Sequence, residues 1–122
     1  MNLIIEAILI GIYTSCLSLL LNFKINIYLY LFIIGFIKHF LGYYLGIHNY
    51  YCIKNGKKNA ILNYLIFKDS FYEGICFIFI GIIIIRLFNL NIFISLFISG
   101  FLFHIIAEYI KLHKIFLNYR CI

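Results

Sequence analysis

The chain has 122 residues, of which 66% are hydrophobic and 11% are charged, and its mean hydropathy is +1.08. Soluble domains carry about a quarter charged residues, so this composition excludes an ordinary soluble domain and predicts one integral membrane domain. The net charge of +6 would favour nucleic acid as a partner in a soluble protein. Because the basic residues flank apolar segments here, we expect contacts with anionic lipid headgroups and no nucleic acid.

Four apolar segments predict four membrane-spanning helices, each long enough at about 1.5 Å per residue to cross a hydrocarbon core of about 30 Å. They cover residues 3–21, 25–47, 71–88 and 92–110, with short turns at 22–24 and 89–91, a long loop at 48–70 and a basic tail at 111–122. The first segment lacks a basic start and an A-x-A cleavage pattern, which indicates an uncleaved span rather than a signal peptide.

The long loop contains a second apolar element. Residues 60–67 are bracketed by charged residues and are too short to span, so we predict a short interfacial helix lying on the headgroups. A re-entrant segment is the alternative. The predicted fold class is an all-α membrane protein, a bundle of four transmembrane helices with a short interfacial helix between spans two and three.

Orientation follows from the basic residues. Four spans place both termini and the long loop on one side, and that side holds seven of the ten lysines and arginines. They are Lys54, Lys57, Lys58, Lys68, Lys111, Lys114 and Arg120. The positive-inside rule therefore predicts that both termini face the cytoplasm.

Small residues at helical spacing predict close helix packing. Gly11 and Ser15 share one face of span one, and Gly100 lies in span four. In span two Gly35, Gly42 and Gly46 share a face, and the last two form a GxxxG step. We expect the glycine faces of spans one and two to contact other membrane proteins, capsid proteins or a second copy of the chain.

Ionisable residues within the spans form a predicted polar layer. Counting depth along each helix places Lys38, His39 and His104 a little to the cytoplasmic side of the midplane, and it places the carboxylates nearer the cytoplasmic interface in the same half of the bilayer. These carboxylates are Glu6, Glu73 and Glu108. Such a layer is typical of proton or cation relays. The structural alternative pairs Lys38 with Glu73 or Glu108, because buried charges need partners whether or not anything is transported.

A second group combines histidines and cysteines on the predicted cytoplasmic side. His48 and Cys52 are four residues apart, and His113 and Cys121 lie in the tail, so the four are candidates for a zinc site. The alternatives are free thiols or a Cys52–Cys121 disulfide. No metal or cofactor is the favoured expectation. The spans also lack a nucleophile-and-base pattern, and we do not expect an enzyme.

The stretch GFIKHFLGYYLGIHNYYC, at residues 35–52, and the bias toward Ile, Asn, Lys and Tyr resemble small hydrophobic membrane proteins of large nucleocytoplasmic DNA viruses. That resemblance implies a protein of the virion's internal membrane that bridges lipid and capsid. The span number, the length and a glutamate in span one are similar to small multidrug resistance transporters. That family's glutamate is mid-helix, whereas Glu6 is near the start, and its tryptophan and proline positions have no counterpart here.

The sequence therefore predicts a small multi-pass membrane protein with a structural or assembly role in a membrane or virion membrane complex. The alternative is a proton- or ion-coupled transporter or channel that acts as a homo-oligomer, with the polar layer as its coupling site.

Overall fold

The computed structural model describes residues 2–22, 24–61, 64–89 and 91–122. Within them lie six helices: α1 (Leu3–Leu20), α2 (Ile27–Tyr44), α3 (Ile47–Lys54), α4 (Leu65–Phe88), α5 (Ile92–Tyr109) and α6 (Leu112–Arg120). Four of them, α1, α2, α4 and α5, are long and apolar enough to cross a membrane. The prediction of a helical protein with four such helices is confirmed.

Three of the long helices begin directly after an asparagine. The side-chain oxygens of Asn2, Asn26 and Asn91 accept hydrogen bonds from first-turn backbone N–H groups at distances of 2.8 to 2.9 Å. Asparagine at this position satisfies a donor that the helix itself leaves without a partner. These caps set where α1, α2 and α5 start.

The second long helix is shorter than predicted. It ends at Tyr44, and Gly46 adopts a left-handed conformation with φ of 82° before α3 begins. Glycine takes this conformation without a steric penalty, so the chain turns where the sequence pattern predicts an unbroken helix to residue 47. The short helix between spans two and three is therefore α3, not the predicted segment 60–67.

Segment 60–67 has a different structure. Ala60 forms an isolated antiparallel bridge with Cys121, and α4 begins at Leu65, six residues before the predicted start. The tail, too, is helical, as α6 after a left-handed Lys111. Residues 62–63 of the predicted interfacial helix, and residues 23 and 90 of the predicted turns, lie outside the described residues.

The long helices pack as two pairs, α1 with α5 and α2 with α4, which meet mainly through α4 and α5. Glycines at the contacts allow the two helices of each pair to approach each other closely. A Cβ atom on Gly11 would lie 2.9 Å from the carbonyl oxygen of Phe97, and one on Gly35 would lie equally close to the carbonyl oxygen of Glu73. Gly100 lies against Thr14 in the same way, and Ser15 is buried. The glycine faces of α1 and α2 are thus filled by helices of the same chain.

The GxxxG step in span two does not join two of the long helices. Gly42 lies against the ring of His48, whose Nε2 atom would be 3.2 Å from an added Cβ. Gly46 has nothing within 4 Å of such an atom, because it is in the turn after α2. Of the predicted packing residues, these two therefore serve the junction of α2 and α3.

The outward surfaces of the long helices are apolar. Leu20, Phe79 and Leu87 are each more than 60% exposed, and many other large apolar side chains are exposed on the same four helices. Exposed apolar surface of this extent is typical of a membrane or a protein interface. The buried core, in contrast, includes two charged residues, Lys38 and Glu73.

Candidate functional site: two charge clusters beneath a disulfide-linked cap

The first charge cluster joins α2 and α4. The ammonium group of Lys38 binds Glu73 Oε1, and His39 Nδ1 lies 2.6 Å from Glu73 Oε2. Lys38 and Glu73 are 8% and 6% exposed. Gly35 and Gly74, which pack against each other, bring the two helices close enough for these side chains to meet. Of the two carboxylates considered for Lys38, the structure pairs it with Glu73.

Residues of α1, α4 and α5 surround Lys38 in this cluster. Lys38 Nζ lies 5.7 Å from the ring centroid of Phe77 and 5.5 Å from that of Phe103, distances at which a cation is attracted to an aromatic face. The hydroxyl group of Tyr13 donates a hydrogen bond of 2.8 Å to the carbonyl oxygen of Lys38. All four long helices thus meet at Lys38.

His48 extends the first cluster toward the end of the molecule. Its ring centroid lies 4.6 Å from that of His39 and 5.2 Å from that of Phe116 in α6. Burial lowers the pKa of His48 to about 4, and the nearby His39 acts in the same direction. A cavity of about 10 Å³, just enough for one water molecule, is lined by both histidines together with Asp69 and Arg120.

The second charge cluster joins α1, α3 and α5. Glu6 binds the ammonium group of Lys54 through Oε1, and its Oε2 lies 3.5 Å from His104 Nε2. The ring centroid of His104 lies 4.7 Å from that of His113, which in turn contacts Glu108 at 2.6 Å. The hydrogen bond to Glu6 raises the pKa of Lys54.

The predicted polar layer is therefore divided in two. Lys38, His39 and Glu73 come together as one set, whereas His104 and Glu108 belong to the second cluster. Glu108 is half exposed and pairs with His113, so it is not part of a buried layer. A single relay through all five predicted residues has no support in this geometry.

A structured cap covers the end of the bundle that carries both clusters. We define the cap as α3, residues 55–61 and residues 112–122. Cys52 and Cys121 form a disulfide across it, with a Cα–Cα distance of 5.6 Å. Backbone hydrogen bonds join its two halves: Lys58 N–H donates to Ile122 at 2.7 Å, and Ile61 N–H donates to Arg120 at 2.8 Å.

An ion pair attaches the cap to the long helices. The guanidinium group of Arg120 donates to both carboxylate oxygens of Asp69 in α4, at 2.7 and 3.1 Å. Two parallel bonds of this kind fix the orientation of both groups as well as their distance. The pair raises the pKa of Arg120, so this arginine stays charged.

The disulfide removes two of the four candidate zinc ligands. Because Cys52 and Cys121 are bonded to each other, neither offers a thiolate to a metal, and His113 lies against Glu108 instead. The described ranges contain no group of three metal-binding side chains. Cys16 and Cys76 are free thiols.

Two attachments of the cap were not predicted from the sequence. The Arg120–Asp69 and Lys54–Glu6 pairs join residues 51 and 48 positions apart. Spacing carries no information over such distances, because it depends on which helix ends meet. The available signal was charge alone, since the chain has only four acidic residues for ten basic ones.

The cap is strongly basic. Lysines that flank or form it are exposed: Lys57, Lys58, Lys68, Lys111 and Lys114. At the opposite end of the bundle the exposed basic residues are Lys24 and Arg86, and Arg86 donates to the hydroxyl group of Tyr28 at 3.0 Å. The charge asymmetry read from the sequence is thus an asymmetry of the folded surface.

Comparisons of this chain with protein-family models, with curated proteins and with solved structures found no match.

Proposed function

We propose that this protein is a multi-pass integral membrane protein with a structural or assembly role, and that the cap is its docking surface. Four long apolar helices with apolar outward faces support insertion into a bilayer. The charged groups inside the bundle pair with each other, as structural charges in lipid must.

The attachment of the cap carries this proposal. Backbone hydrogen bonds of Lys58 and Ile61 join the two halves of the cap, and Arg120–Asp69 and Lys54–Glu6 hold it to the bundle; these contacts do not need the disulfide. A surface fixed at several points keeps its shape when a partner binds, so little conformational entropy is lost on docking. A gate or lid would instead need a surface that can move.

The chemistry of the cap indicates its partners. Its exposed lysines favour anionic lipid headgroups and acidic surfaces of other membrane or capsid proteins. In a virion, the resemblance to viral membrane proteins would make this a contact between the internal membrane and the capsid. By the positive-inside rule the cap and both termini face the cytoplasm.

Purification from the native membrane in a mild detergent tests the proposal, with mass analysis of proteins that co-purify at fixed stoichiometry. We expect heterologous partners to be retained by the wild type and lost from Lys57→Glu/Lys58→Glu. Lys24→Glu, which changes an exposed charge at the opposite end, is the matched control and should retain them. A homo-oligomer without other proteins would contradict an assembly role.

A second candidate function is proton- or ion-coupled transport by a homo-oligomer. The observation in its favour is that the buried Glu73 contacts both a lysine and a histidine, and that His48 continues the histidine chain toward the cap. If it is correct, Glu73→Gln abolishes proton flux in liposomes, whereas Glu108→Gln at the half-exposed site does not. Equal flux in wild type and Glu73→Gln would exclude this mechanism.

A further inference from the structure

A cavity of about 320 Å³ lies between α1, α5 and the junction of α2 with α3. It exists because the helices pack as two pairs, so that α1 and α2 contact each other little. Tyr13, whose hydroxyl group donates to the carbonyl oxygen of Lys38, lines it from α1, and Gly46 lines it from the turn before α3. The cavity is thus a consequence of the fold, and it borders the second charge cluster through Glu6 and His104.

The walls of the cavity are mainly apolar. Leu9 and Ile10 line it from α1, and Leu45 and Ile47 line it from the junction. Its volume is many times that needed for one water molecule, and apolar walls would not hold water in place. The hydroxyl group of Tyr13, at this wall, already donates to a carbonyl oxygen. An empty space of this size would leave its lining without dispersion contacts, so an apolar occupant is favoured.

The rim of the cavity shows where an occupant enters. Tyr50, in the cap, is 52% exposed, and Leu9 and Leu45 are 49% and 64% exposed on the outward surface of the bundle. In a bilayer this surface faces acyl chains. Glu6 and His104 line the cavity beside the cap and Tyr51 lines it from the cap, at the level where headgroups would be.

We propose that the cavity binds one acyl chain of a bilayer phospholipid, with the headgroup beside the cap and the chain directed toward Tyr13. This inference depends on the proposed insertion into a membrane and adds a defined lipid site to it. The bound chain fills the space between α1 and α2 that the protein leaves unpacked.

Photolabelling in phosphatidylcholine vesicles tests the site. The full chain is reconstituted with phosphatidylcholine that carries a diazirine in one acyl chain, irradiated, and digested for mass mapping of the adducts. We expect adducts concentrated in residues 6–13 and 45–51. Leu9→Trp should reduce them by about fivefold or more, because a larger side chain overfills the space.

Leu19→Trp is the matched control, since Leu19 is an exposed leucine near the other end of the same helix. Adducts spread evenly over the four long helices, or unchanged in Leu9→Trp, would overturn the proposal. A second vesicle set contains a diazirine fatty acid with unlabelled phospholipid. Labelling of the cavity by the fatty acid and not by the phospholipid would overturn the assignment to phospholipid.

Leu45→Trp, at the rim and outside the long helices, provides a second variant if Leu9→Trp does not fold. Extraction of the same samples with alkaline carbonate distinguishes a failure of membrane insertion from a failure of lipid binding. A protein released by carbonate is not inserted, which contradicts the proposed function as well. A protein that stays in the membrane without cavity adducts contradicts the lipid site alone.

Discussion

Lys38 and Glu73 form an ion pair between α2 and α4 at a position where less than a tenth of either residue is exposed. Neither charge can be hydrated there, so each depends on the other and on His39. The pair is therefore part of the packing of the two helices. Removing one partner should therefore destabilise the protein more than breaking a surface salt bridge would.

The first prediction concerns removal of one or both partners. Lys38→Met alone should destabilise the protein by about 3 to 5 kcal/mol, because it leaves the Glu73 carboxylate buried and without its cation. The double variant Lys38→Met/Glu73→Leu should recover most of that loss. Thermal unfolding in detergent measures both. A double variant less stable than either single variant would contradict this account of the pair.

The second prediction concerns the glycine at the α2–α4 contact. Gly35→Ala should destabilise by about 1 to 3 kcal/mol, because its Cβ would lie 2.9 Å from backbone atoms of α4 that cannot move independently. Gly42→Ala is the control in the same helix. Its Cβ would meet only the His48 side chain at 3.2 Å, which can shift, so a smaller change is expected. Equal unfolding temperatures for the two variants would count against this reading of the contact.

The four long helices were predictable because each is a long run of apolar residues, and three of them follow an asparagine that caps the helix. The start of α4 was not predictable from the sequence. Lys68 and Asp69 resemble loop residues, yet they lie in its first turns, where Asp69 is paired with Arg120 from the far end of the chain. The turn at Gly46 was also missed, because glycine at helical spacing is compatible with close packing and with a break.

The candidate site was predictable as a set of residues but not as a geometry. Charge complementarity indicates that Lys38 needs a carboxylate, and Glu73 and Glu108 fit equally by depth. Glu73 is selected because α2 packs against α4, where Gly35 and Gly74 face each other. The sequence carried that signal, since Gly74 is adjacent to Glu73, but it has meaning only once the helix pairs are known.

The third prediction concerns the disulfide of the cap. Cys121→Ser should destabilise the cap by about 2 to 4 kcal/mol, because the disulfide closes a long loop between cysteines that are 69 positions apart. Protease cleavage near residues 55–61 reports on opening of the cap and should become faster. Reductant should accelerate cleavage of the wild type to the rate of Cys121→Ser without further effect on the variant. Cys16→Ser removes a free, exposed thiol and should match the wild type.

The same disulfide tests the proposed orientation. Disulfides persist in oxidising compartments and are rare in the cytosol, whereas the positive-inside rule places the cap in the cytosol. We therefore expect Cys52 and Cys121 to be reduced in cells when trapped with acid and an alkylating reagent, and to be oxidised after isolation in air. If both thiols are alkylated by a membrane-permeant reagent but not by an impermeant one, the cap faces the cytosol. A bond already present at trapping would place the cap on an oxidising side and reverse the orientation.

The last prediction is a dependence of cap stability on pH through His48. Its pKa is about 4 in the folded protein and about 6.5 in an unfolded chain. The unfolded state therefore binds a proton first as the pH falls, so stability is complete above pH 6.5 and decreases toward pH 4. The full loss is on the order of 3 kcal/mol.

The charged groups that face His48 act in both directions. His39 and Lys38 from α2 lower its pKa, whereas Glu73 and Asp69 from α4 raise it, and burial under α6 is the largest cause. His48→Phe keeps a ring against Phe116 and removes the titration. Cleavage of the cap by protease, measured between pH 7 and pH 5, should accelerate in the wild type and stay nearly constant in His48→Phe. Parallel acceleration in both proteins would assign the effect to another group, because only the difference between them reports on His48.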